Sequence, residues 1–136
     1  MGVNVSLFST VRANSVQSIR AFRSADLQAE AVRLGQHFLV ANCAHASTKA
    51  AVLAAIAKGF YFPDYFGENF DALYDCLTGS LHKSGTQPGF VVVLEHIAMS
   101  QEFDKEARET LLDVFRDAAD FWEKKHVPFR VFYSFA

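Results

Sequence analysis

A single α/β domain on a small three-stranded parallel sheet is the fold class this sequence predicts, and three observations predict it. Three short apolar runs, HFLVANC (37–43), FVVVLE (90–95) and FRVFYSF (129–135), have the length and the β-branched or aromatic content of strands. The segments between them carry helix signals, so the strands pair in parallel through right-handed crossovers. The chain has 136 residues, 51% of them hydrophobic, which suits one domain with a substantial core and argues against disorder.

The N-terminal 36 residues read as an extension. They lack the basic start and continuous apolar core of a secretory signal. Within them a helix is expected over 25–34, with Ser24 as N-cap, Asp26 in the first turn and Gly35 as the stop. The run HFLVANC follows as a strand buried on both faces. After it, TKAAVLAAIAKG forms an Ala-rich helix ending at Gly59. An aromatic turn, FYFPDYFG, delivers the chain to a helix from Asn69, the N-cap, to Leu77. The Ser-, Gly- and Pro-containing SLHKSGTQPG is a loop before FVVVLE. From about Asp104 to Lys125 runs the longest helix, with Leu111, Val114, Phe115, Ala118 and Trp122 as one buried stripe. Pro128 stops it ahead of the last strand.

Composition excludes several functions. Net charge is −2, from 13 basic and 15 acidic residues, which argues against direct nucleic-acid binding through a broad cationic surface. No apolar run is long enough to span a membrane. Cys43 and Cys76 allow one pairing but no disulfide scaffold; free thiols of a reducing cytoplasm are the favoured reading, and the acid next to Cys76 disfavours a nucleophilic thiolate. The five histidines show no metal-ligand spacing with Cys or acids, and no phosphate-binding glycine loop is present. No cofactor, no metal and no catalytic residue is expected.

The informative stretch is FPDYFGENFDALYDCLTGS, 62–80. It holds Asp64, Glu68, Asp71 and Asp75, while no Lys or Arg occurs between Lys58 and Lys83. On a helix, Phe70, Leu73 and Leu77 share an inward face. Glu68, Asp71, Asp75 and Thr78 share another, with Tyr74 at its edge. Asp71 and Asp75 lie one turn apart, a like-charge pair costing roughly 0.2–0.5 kcal/mol. Such a run is a solvated acidic face or, with aromatic rings beside uncompensated charge, a binding surface. A hydrolase built on Asp71 and Asp75 is disfavoured, because two acids on one exposed helix face do not flank a substrate cleft.

This stretch resembles the signature of the barstar family, the intracellular protein inhibitors of barnase-type ribonucleases. VVVLE is similar to the family's middle strand and LLDVFRDA to its last helix, so the likeness runs from about His37 to the C-terminus. The resemblance implies a barstar-like domain over 37–136 that blocks the basic active site of a ribonuclease or similar toxin nuclease. It implies a partner surface made of Tyr65, Asn69, Asp71, Tyr74, Asp75, Thr78, Gly79 and Asp117, with Tyr74 where a Trp is common. Ser80 stands where the best-known member has a Trp, and Phe121 where a further acid is expected. Carboxylates on a rigid helix can stand in for substrate phosphate, making charge-assisted hydrogen bonds with Arg, Lys and His of the enzyme. The alternative is a barstar-like module that binds a partner other than a nuclease.

Overall fold

The computed structural model describes residues 6–20, 22–63, 69–80 and 87–136. In chain order these form β1 (Asn14–Ser18), α1 (Ser24–Leu34), β2 (His37–Asn42), α2 (Lys49–Gly59) and α3 (Phe70–Asp75). They continue with a π turn (Cys76–Ser80), β3 (Phe90–Ile97), α4 (Lys105–Lys124) and β4 (Phe129–Phe135). The sheet has four strands rather than the three expected, in the order β1-β4-β3-β2, and every pairing is parallel. The additional strand is β1, NSVQS, paired with β4 in the register Asn14 to Phe129. It has one β-branched apolar residue, Val16, and all five residues are half-buried, so neither propensity nor alternation marks it. Its place in the sheet comes from tertiary contacts: pairing with β4, and Val16 packed on the core.

The strand order explains the layering. From β1 the chain crosses the whole sheet to β2, then returns through β3 to β4. Right-handed crossovers in opposite directions put their helices on opposite faces. Accordingly α1 covers one face, where Leu27 and Ala31 meet Val91, Val93 and Phe132, together with Phe8 and Val11. The other face carries α2, α3 and α4, packed on Phe90, Val92, Leu94, Phe129 and Val131. Successive residues of β3 thus feed two cores, which is why FVVVLE is apolar without interruption.

Local signals account for most element ends. Gly35 closes α1 with φ 68°, its N–H and that of Gln36 donating to carbonyls of the last turn. Ser24 does not cap α1. Its hydroxyl donates instead to Glu95 Oε1 at 2.8 Å, tying the helix start to β3. Thr48 caps α2, accepting from the Ala51 N–H at 3.1 Å, and Asp104 caps α4, accepting from Ala107 N–H at 2.9 Å. Gly59 lets α2 lie directly on β2, since a Cβ there would overlap the Val40 carbonyl oxygen.

The chain ahead of α1 is anchored at two points. The Asn14 side-chain amide donates to the carbonyls of Ala119 and Val127, at 3.0 and 2.9 Å, fastening β1 to the end of α4. The buried Glu30 carboxylate accepts two bonds from Arg33 at 2.7 Å, one from the Ser6 hydroxyl at 2.5 Å and one from Leu7 N–H at 3.0 Å. These donors, Arg33 foremost, hold its pKa at about 2. No helix among the described residues is long and apolar enough to cross a membrane.

Candidate partner-binding site

From Asn69 the acidic stretch forms a short, capped helix. Asn69 accepts from Ala72 N–H at 2.7 Å and opens α3. Leu73 and Leu77 are fully buried and Phe70 packs on the core, as the helical pattern predicts. That leaves Asp71 and Asp75 exposed on the outer face, with Tyr74 half-buried between them. The α-helix is shorter than expected, ending at Asp75, and the chain widens into the π turn from Cys76. π turns are commonly found at functional sites. Here the turn is fixed to α4 by a buried bond from Trp122 Nε1–H to the Leu77 carbonyl at 3.1 Å.

Between α3 and α4 lies an open groove of about 720 Å³. Phe70, Tyr74, Val114 and Phe121 give it an apolar lining. Asp71 and Asp75 stand on the α3 side, and Asp113, Asp117 and Asp120 on the α4 side. Thr110 and Lys124, also on α4, complete the lining. Five carboxylates therefore face one ammonium. Asp113 pairs with Arg116 at 2.8 Å, but Asp71, Asp75, Asp117 and Asp120 have no ion pair among the described residues. Lys49 of α2 sits over the Phe70 ring at 4.6 Å, its charge held on the aromatic face. Concentrated negative potential over an apolar floor is suited to receiving cationic side chains of a protein surface.

The fold brings together four of the residues singled out from the sequence: Asp71, Tyr74, Asp75 and Asp117. Asn69 is exposed but acts as the cap of α3. Thr78 lies inside, 8% exposed, its hydroxyl donating to the Tyr74 carbonyl at 2.8 Å. The wider π turn rotates it away from the face that regular helical spacing assigns to it. Gly79 is half-buried with open space about its Cα, outside the groove lining. Tyr65 and Glu68 lie outside the described residues. Sequence reasoning missed Asp113 and Asp120, which extend the acidic wall along α4. Their spacing from Asp117, four and three residues, was the available signal.

A family model described as "Barstar (barnase inhibitor)" matches residues 36–134. The chain belongs to the barstar family. Among curated relatives, the Bacillus subtilis (strain 168) protein named "Putative ribonuclease inhibitor YrdF" is 37% identical over 59 residues. That alignment covers 43% of this chain, which thus spans 59% of the relative's length. The barstar-family match begins just beyond α1, so β1 and the whole of α1 precede it. The groove and both of its walls fall within it. Cys43 and Cys76 are both buried and not joined in a disulfide, and burial pushes the Cys43 thiol up to about 11, which keeps it unreactive.

Proposed function

We propose that this chain is a cytoplasmic protein inhibitor of a ribonuclease or similar toxin nuclease, and that the groove between α3 and α4 closes the enzyme's basic active site. The observation that carries the reading is the pair Asp71 and Asp75, exposed on α3 and without an ion pair among the described residues. Membership of the barstar family supports it. An active site that holds RNA phosphates does so with Arg, Lys and His. Carboxylates presented on a capped helix satisfy those donors without offering a scissile bond. Asp75 takes the phosphate site, Asp71 pairs with a second cation, and Asp117 reaches the cleft from α4.

Rigidity is what gives the mimicry its strength. The Asn69 cap and the Trp122 bond fix the acids before association, so little side-chain and backbone freedom is lost on binding. The chain itself performs no chemistry. Unpaired charge also steers the encounter, so association slows as salt rises.

Asp75→Ala tests the assignment. It is expected to weaken the complex with a barnase-type ribonuclease by about 2–5 kcal/mol, a magnitude taken from charge pairs of this same family rather than worked from the geometry. Folding stability should change little, because Asp75 is exposed. The measurements are calorimetric titration and inhibition of RNA cleavage. Equal inhibition by the wild-type chain and the variant refutes the role of Asp75.

A further inference from the structure

The charge of the α4 wall changes sign along its length. Asp113, Asp117 and Asp120 line the groove first, and at the C-terminal end Phe121 and Lys124 take their place. Asp117, Phe121 and Lys124 stand at i, i+4 and i+7, one face of the helix. Lys124 is exposed and has no ion pair among the described residues. Lys125 beside it lies over the Phe121 ring, with Nζ 5.1 Å from the centroid. This end of the groove thus carries a half-buried aromatic ring with one ammonium beside it in the lining and a second on its face.

Resting on the inhibitor reading above, we infer that Phe121 and Lys124 are specificity residues. They admit enzymes whose basic cleft gives way to a neutral or acidic rim at this end, and they reject clefts that stay basic there. A wall that was acidic throughout would attract any polycationic cleft, since long-range attraction is indifferent to detail. Discrimination needs a repulsive element set against the wrong partner. A cation facing a cation at a partly desolvated rim supplies it, and the Phe121 ring offers a basic side chain no acceptor of full charge.

Barnase, the enzyme in the family's description, is the protein to titrate. Binding is measured by surface plasmon resonance at low and high salt for the wild-type chain and for Lys124→Glu, Phe121→Glu and Asp75→Ala. Circular dichroism checks that each variant is folded. Both glutamate variants are expected to tighten barnase binding, each roughly 5- to 30-fold at low salt and less at high salt. If both bind no tighter than wild type while Asp75→Ala binds more weakly, the specificity assignment is overturned and the groove remains the site. A gain at only one position removes the other residue from the assignment. If Asp75→Ala binds like wild type, the inhibitor reading itself fails, and this inference with it.

Discussion

Replacing Trp122 by Phe separates the groove's construction from its charge. The Trp122 Nε1–H donates to the Leu77 carbonyl at 3.1 Å, and both residues are buried. Phe keeps an aromatic ring against Phe90 and Phe121, whose centroids lie 5.0 and 5.2 Å away, but cannot donate. Depriving a buried carbonyl of its donor costs about 1–3 kcal/mol. The smaller ring leaves a void worth roughly 1 kcal/mol more. Together these come to about 2–4 kcal/mol, a large share of the roughly 5–15 kcal/mol that holds such a domain. Urea unfolding should show a lower midpoint at an unchanged slope, the sign that stability alone has moved. Because Leu77 lies two residues beyond Asp75, release of the π turn also frees the α3 wall relative to α4. Dissociation from the target enzyme should therefore speed up more than association slows. A stability loss below about 0.5 kcal/mol, with folding cooperative in both proteins, would refute the argument that this bond locks the two walls.

Gly59→Ala is expected to destabilise the chain by about 1–3 kcal/mol in denaturant titration, because the added Cβ collides with the Val40 carbonyl of β2. A gain in stability, the ordinary result of Gly→Ala in a helix, would show that α2 is not pressed onto the strand. Glu30 makes a prediction about acid. Its folded pKa of about 2 lies below the ordinary 4.5, so its stabilisation is complete above pH 4.5 and lost as pH falls towards 2. The stability gap between wild type and Glu30→Gln should be full at neutral pH and narrow through that window, measured by thermal unfolding across pH. A gap that stays constant from pH 5 to about pH 2 would mean the Arg33, Ser6 and Leu7 contacts do not depress this carboxyl.

Most elements were legible because their signals are local. FVVVLE reads as a strand from six adjacent residues, and Leu111, Phe115, Ala118 and Trp122 read as a buried stripe from spacing along one helix. The outward placement of Asp71 and Asp75 was equally legible, since Phe70, Leu73 and Leu77 leave no other face for them. The failures came where distant residues decide. Ser24 looked like a cap, yet its hydroxyl turned to Glu95, a partner 71 residues away. Thr78 looked exposed, yet the π turn carried it inward.

Periodicity and composition were enough to specify an α/β domain with parallel strands and one short helix that carries unopposed acid. Both follow from the period of side chains along a single element. That NSVQS is a strand emerges only on folding, because edge pairing with β4 supplies what its composition lacks. Tertiary packing also decided that the acids of α3 share a groove with Asp113, Asp117 and Asp120, about forty residues further on. No local period encodes that meeting. It is set by two helices packing on the same sheet face, and by the buried bond that holds them in register.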